Sequence, residues 1–301
     1  MIEYLSHKQI DKAKWDACIG SIPSCKPYAY SWYLDLMAPG WEALVDDDYD
    51  SVFPVPAFRK YGFYYIATPV FMQQLGIFSP DNNVTVKLDE YLSFMPLFYR
   101  LVDISIAQMP DDGSFRIVER DNYELDLSVP YSAIWEGYSS DCRRNIKLAA
   151  ELKPEIENLE DPLEAINLFR RNTGLGLRGV KPRDYRKLAA LMKFCISGGR
   201  GRLIGVRNSS AELVYALFVV EVPGNATLLF TATSDESREN RTGYFVINSI
   251  AEELAGTNTI LDFAGSSIPS IAGYNRSFGA MLVPYYRIYR NTLPWPVMMF
   301  K

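Results

Sequence analysis

The stretch that most limits the fold is ELVYALFVVEV, Glu212 to Val222. It is apolar or aromatic without a break from Leu213 to Val220 and shows no alternation. Such a run is expected of a strand covered on both faces. RLIGV (Arg202–Val206) precedes it and TLLFTATS (Thr227–Ser234) follows, with turn residues at Asn208-Ser209-Ser210 and Pro223-Gly224-Asn225. Three antiparallel strands are therefore expected. A polar loop, DESRENRTG, leads into the helix YFVINSIAEELAG, where Ile247, Ile250, Ala251 and Leu254 share a face, and then into the strand TILDF. Strand, helix and strand in succession imply a crossover and a parallel pair. The fold class is mixed α/β.

Two helices lead into this core. Asp161-Pro162-Leu163-Glu164 is a helix start with an Asp cap, Pro at the first position and Glu three on from the cap, and the helix runs to Arg171. Thr173-Gly174-Leu175-Gly176 reads as a loop. From Lys181-Pro182 a second helix places Tyr185, Leu188, Leu191, Met192 and Cys195 on one face and stops at Gly198-Gly199. A helix around IPSIAGYNRSF and a final strand, VPYYRIYRN, complete the order.

The first half has helical spacing over residues 7–19 and Ser31 to Met37, then strands at Trp41–Val45, Asp50–Val55 and Gly62–Thr68. Pro54 and Pro56 put the middle strand at an edge or a bulge. KLDEYLSFMPLFYRLVDISIA contains a helix, with a break expected at Pro96. Phe115–Glu119 and Tyr123–Leu127 read as strands joined by a hairpin-like turn, Arg120-Asp121-Asn122. Ser139-Ser140-Asp141 caps the helix CRRNIKLAAEL, which Pro154 ends. The expected division is into residues 1–150 and 151–301.

Composition narrows the chemistry. A net charge of -5 argues against binding long nucleic acid through a general basic surface. The cysteines, Cys18, Cys25, Cys142 and Cys195, are scattered, and the one histidine is His7, so no zinc site is expected. His7 lies beside a helix start in the first few residues, which argues against Ser-His-Asp or Cys-His catalysis. The N-terminus is polar and mixed in charge, and no apolar run reaches the ~20 residues of a membrane span, so a cytoplasmic protein is expected.

Five segments carry a resemblance to a known family. They are Tyr28-Ala29-Tyr30-Ser31-Trp32-Tyr33-Leu34-Asp35; the region from Trp41 to Ser79 with its FPVP and QQLGIFS pieces; Cys142-Arg143-Arg144-Asn145-Ile146-Lys147; Leu261-Asp262-Phe263-Ala264-Gly265-Ser266; and Tyr274 through Gly279. Together they resemble the double-GNAT, Fem-type (FemAB-like) family of peptidoglycan interpeptide-bridge aminoacyltransferases and their acetyltransferase-like relatives. The last two segments are similar to that family's DF-x-GS and aromatic-x-K-x-FG signatures. The resemblance implies two tandem GNAT-like domains with mixed sheets and a substrate groove between them. It also implies transfer of an acyl or aminoacyl group to an amine without metal or covalent intermediate. The donor implied is acyl-CoA or aminoacyl-tRNA. The partners implied are a small-molecule or nucleotide-linked amine and the tRNA acceptor end. Two rival readings are a CoA-dependent N-acetyltransferase using the second domain alone and a catalytically silent binding protein.

Candidate site residues follow from these segments. Arg238, Arg241, Thr242 and Gly243 stand where a GNAT cradles a pyrophosphate with the pattern R/Q-x-x-G-x-G/A, Arg241 occupying its central Gly position. Anion binding at a helix N-terminus and a solvated loop are both open there. Asp262 either holds a substrate amine or orients the following backbone, or, as a structural residue, caps the next helix or pairs with Arg276. Arg276 takes the place of the family's Lys, beside Tyr274 and Ser266 as substrate contacts. Glu221, near the end of the central strand, is the candidate general base. Arg143, Arg144 and Lys147 share one side of a capped helix, facing either solvent or substrate phosphates. Gln73 and Gln74 are placed to line a groove in the first half.

Overall fold

A computed structural model of the chain describes residues 1–60, 62–80, 88–110, 115–172, 179–265 and 267–293. The chain divides into two compact units, Met1–Arg120 with Pro284–Lys301, and Asp121–Val283.

The first unit contains β1 (Ile2–Leu5), α1 (Lys12–Ser21), α2 (Ser31–Met37), β2 (Glu42–Asp46), β3 (Ser51–Val55), β4 (Ala57–Lys60), β5 (Phe63–Ala67), α3 (Leu88–Ser93), β6 (Tyr99–Ile106) and β7 (Arg116–Arg120). The Asp11 carboxylate caps α1 by accepting from the amides of Ala13 and Lys14 at 3.0 and 3.2 Å. Beneath it, Trp15 meets Trp41 edge-on at 4.6 Å and donates its indole N–H to the Ala29 carbonyl. Strands β1, β2 and β3 form an antiparallel sheet with β3 at its edge, where Pro54 removes no needed donor. The segment 99–106 is a strand rather than the continuation of a helix. Its alternation buries Val102, Ile104 and Ile106 on one side, a period of two that an apolar composition alone conceals.

The second unit contains β8 (Tyr123–Asp126), α4 (Tyr131–Gly137), α5 (Ser140–Glu151), β9 (Ile156–Asn158), α6 (Pro162–Asn172), α7 (Pro182–Ser197), β10 (Gly201–Arg207), β11 (Leu213–Val222), β12 (Asn225–Thr233), α8 (Asp235–Glu239), α9 (Thr242–Leu254), β13 (Ile260–Asp262), α10 (Pro269–Ser277) and β14 (Met281–Leu282). They build one seven-stranded sheet, ordered β14-β8-β13-β12-β11-β10-β9. β11 lies inside it, buried from Val214 to Val220, as its unbroken apolar run requires. Helix α6 packs on β11 and β12, α7 on β10, and α5 against α9. Ser139 caps α5 by accepting from the Cys142 amide, a contribution of about 1 kcal/mol.

Several sequence expectations are corrected. Arg120-Asp121-Asn122 joins no hairpin, because β7 and β8 belong to different sheets. The compact units part at Arg120 rather than at residue 150, since β8 pairs with β13 and α5 packs on α9. The polar DESRENRTG stretch contains α8, capped by the Ser234 hydroxyl on the Ser237 amide. The last strand, β15 (Tyr285–Asn291), does not extend the second sheet. It enters the first unit between β6 and β7, giving a five-stranded sheet β4-β5-β6-β15-β7.

Candidate functional site

The parallel pair of the second unit opens partway along. β12 pairs with β13 only where Asn225, Ala226 and Thr227 face Ile260, Leu261 and Asp262. β13 then stops, and β12 continues to Thr233 with no strand described on that side. A bulge at Leu229 on the β11 side bends β12 at the same point. The notch is the C-terminal end of a parallel pair, where open α/β sheets place ligands.

A cavity of about 290 Å³ occupies it. Tyr215 of β11 with Thr231 and Thr233 of β12 form one wall; Arg238, Arg241, Gly243 and Tyr244 close the end; Tyr274 of α10 forms the other side. Helix α9 starts here without a side-chain cap, its N-cap Arg241 lying at φ 57°, ψ 28°. This is the left-handed backbone that a glycine adopts freely, reached here by an arginine. Uncapped amides and the positive end of the α9 dipole thus point at the cavity. Arg241 Nε donates to Asn145 Oδ1 at 2.9 Å and its guanidinium also donates to the Glu239 carbonyl at 2.6 Å. Arg238 pairs with Asp235.

Gly243 lets two phenols converge on the start of α9. A Cβ at this position would lie 2.9 Å from the Tyr274 hydroxyl and 3.6 Å from that of Tyr215. Tyr215 is buried, Tyr274 half-buried, and Tyr244 meets Tyr274 edge-on at 4.6 Å. Burial pushes the Tyr215 phenol above its ordinary value. Tyr274 is raised well above it, by desolvation first and then by Tyr215 and Tyr244. Both hydroxyls therefore remain protonated donors. Among the described residues lining the cavity there is no carboxylate and no histidine.

No protein-family model matches the chain, and no curated protein matches it. Solved structures do. FemX is 12% identical over 99% of both chains, with a TM-score of 0.69. The chain has a Fem-type fold, that of FemX. The C-terminal domain of a protein assigned as a lysylphosphatidylglycerol synthetase from Agrobacterium fabrum shares it at 10% identity, covering 93% of this chain and 92% of that one, with a TM-score of 0.58. A conserved protein of unknown function from Bacteroides thetaiotaomicron does so at 10% identity, over 97% and 100%, with a TM-score of 0.54.

Within this Fem-type fold the sequence candidates separate. Arg238, Arg241, Gly243 and Tyr274 come together at the cavity, with Thr242 buried as the first residue of α9. Tyr215 joins them, and Asn145 of α5 holds Arg241. Tyr215 was hidden inside the apolar run of β11, and Asn145 had no signal beyond its place in the Cys142–Lys147 segment.

Asp262 is buried at the end of β13, its Oδ1 accepting from the Ala264 amide at 2.8 Å. It thereby holds a turn in which Ala264 and Gly265 both have positive φ, 52° and 59°. Ser266 lies outside the described residues. Arg276 is exposed with its guanidinium over the Tyr123 ring, on a different side of α10 from Tyr274.

Glu221 is not brought to the cavity. It lies six residues along β11 from Tyr215, about 20 Å away, in an ion pair with Arg202 at 3.0 Å. Arg143 donates to the Trp135 and Glu136 carbonyls near the end of α4, Arg144 pairs with Asp141 at 2.9 Å, and Lys147 is exposed. Gln74 lines a separate cavity of about 260 Å³ in the first unit and donates to Gln73.

The first unit also has a parallel pair, β5 and β6, around α3, but its opening is filled. Leu75 donates to the Ser105 carbonyl and accepts from the Ala107 amide, while Phe78 exchanges both hydrogen bonds with Val52. The Leu75 backbone thus occupies that edge of β6, and Phe78 ties the segment to β3.

Among the described residues no group of three or more Cys, His, Asp or Glu could hold a metal ion. Nor is any helix long and apolar enough to cross a membrane.

Proposed function

We propose that this chain transfers an acyl or aminoacyl group from a phosphate-bearing donor to an amine, at the notch of the second unit. One observation carries the reading. The open edge of β12, the uncapped start of α9 and two protonated phenols meet in a single cavity.

Each part has a task. The first-turn amides of α9, with Arg238 and Arg241, take donor phosphate. The free edge of β12 accepts the extended arm of the donor by backbone hydrogen bonds. The amine attacks the acyl carbon, a C–N bond forms, and the bond to the donor sulfur or oxygen breaks. Tyr274 and Tyr215 donate hydrogen bonds to the carbonyl oxygen as it gains charge, without losing their protons. The described residues of the cavity wall include no carboxylate or histidine, so the amine enters neutral and its proton leaves to solvent.

Peptidoglycan-type aminoacyl transfer is the finer form of this reading, and CoA-dependent N-acetylation is the next. A catalytically silent binding role is favoured by one observation, that Arg238 and Arg241 already have protein partners. Incubating the full chain with acetyl-CoA or alanyl-tRNA and a panel of amines tests all three. An N-acylated product that is lost in Tyr274→Phe supports transfer, and its donor names the form. Saturable donor binding with no product from any amine would establish the silent role instead.

A further inference from the structure

The β-turn Pro96-Leu97-Phe98-Tyr99, closed by the Tyr99 amide on the Pro96 carbonyl at 3.0 Å, has the wrong residues for a solvated turn. Its two central positions, usually filled by Gly, Asn, Asp or Ser, are leucine and phenylalanine. Leu97 is 93% exposed and Phe98 48%, with Phe94 at 43% beside them. Met95 points the other way and packs on the core of the first unit, so the turn is anchored from below.

The aromatic surface continues across the neighbouring strands. Phe98 lies 4.8 Å from Tyr64 and 4.7 Å from Tyr99. Arg59, opposite Tyr64 in the β4–β5 ladder, holds its guanidinium 5.2 Å from the Tyr64 ring centroid. Lys60 and Arg100 are exposed next to these positions. The acids of α3, Asp89 and Glu90, are in its first turn, at the end away from Phe94.

We propose that this turn docks the protein on an anionic lipid surface. The argument is shape and charge together. A protein partner is usually met by a groove or a flat face with its apolar centre inside a polar rim. Here the apolar side chains stand at the crest of a turn and the cations stand beside them. In that arrangement leucine and phenylalanine enter the headgroup–acyl boundary while Arg59, Lys60 and Arg100 meet lipid phosphates. Cations at the end of edge strand β4 also discourage sheet-to-sheet pairing with another chain. The contact is peripheral. It is independent of the notch of the second unit and of the reaction assigned to it.

The test is cosedimentation of the full chain with vesicles of phosphatidylcholine alone and with about one-third phosphatidylglycerol. Binding is expected only to the anionic vesicles, weakening as salt rises. Leu97→Glu is expected to reduce it roughly tenfold, and Arg59→Glu to reduce it while leaving thermal unfolding unchanged. Leu97 touches little of the fold, so Leu97→Glu reports the surface and not a collapse. Equal sedimentation of wild type and Leu97→Glu would overturn the proposal. So would absence of vesicle binding, and a concentration-dependent dimer abolished by Leu97→Glu would then reassign the turn to a second copy of the chain.

Discussion

Arg241 at the start of α9 is tied to Asn145 of α5 by a 2.9 Å hydrogen bond between residues 96 apart in sequence. The bond fixes one side of the guanidinium and holds the left-handed N-cap residue against the neighbouring helix. Asn145→Ala is expected to weaken donor binding about fivefold, since one hydrogen bond of about 1 kcal/mol is lost. Thermal unfolding should move little, because the pair is exposed. Calorimetric titration with acetyl-CoA or a donor nucleotide checks this.

Gly243→Ala separates space from helix propensity. Alanine suits a helix better than glycine by up to about 1 kcal/mol, and the nearest obstacle is the far end of a tyrosine side chain. Stability is therefore expected to hold within about 1 kcal/mol. The displaced Tyr274 hydroxyl should cost tenfold or more in turnover, roughly. A parallel fall in stability and turnover would contradict the assignment.

Tyr274→Phe and Tyr215→Phe remove one donor each, and about a 10²–10³-fold loss in kcat is expected for either, with KM little changed. Glu221→Gln and Arg276→Ala should keep most activity. The first is about 20 Å along β11 from Tyr215, and the second sits over Tyr123 outside the cavity. Rates measured for the four variants under one set of conditions decide between the phenols and the charged residues.

The raised phenols predict a stability profile. Tyr215 and Tyr274 have folded pKa values above the ordinary tyrosine value of 10.0. Above that pH the unfolded chain loses protons that the folded state keeps. Their contribution is complete below pH 10 and is lost as pH rises further, at about 1.4 kcal/mol per pH unit for each phenol. Denaturant unfolding at pH 8, 10 and 11 should show this, with the Tyr274→Phe, Tyr215→Phe double variant flatter above pH 10.

Cys18, Cys25, Cys142 and Cys195 are free and buried. Burial pushes the thiols of Cys18 and Cys142 up to about 11 and those of Cys25 and Cys195 up to about 12. Thiolate is scarce at neutral pH, so a disulfide reagent should modify the native protein at the rate of its unfolding.

Much of the fold was legible locally. Ser139 lies where hydroxyl side chains precede apolar periodicity, and it makes the capping bond expected there, whereas the cap at Asp11 falls inside a stretch read as helix. The unbroken run of β11 required burial on both faces, and α9 between two strands required a parallel pair. Of the cavity lining, Arg238, Arg241, Gly243 and Tyr274 carried a motif signal in the sequence. Tyr215 did not, because an aromatic in a buried strand has the same signature whether it packs or faces a ligand. Glu221 carries a strand-end signal, but register puts that end of β11 away from the notch.

The amino-acid sequence by itself determined the strands β10, β11 and β12, the helices α5, α6, α7 and α9, and that β12 and β13 run parallel. These follow from periodicity, caps and chain handedness, all set within a few residues or one crossover. Only the tertiary structure decided that β15 crosses back to lie between β6 and β7, and that the notch beside β12 stays open while Leu75 fills the one beside β6. Backbone hydrogen bonds are alike at every residue, so which strand meets which edge is settled by packing between parts of the chain as distant as Asp103 and Arg287, and not by the local pattern of either.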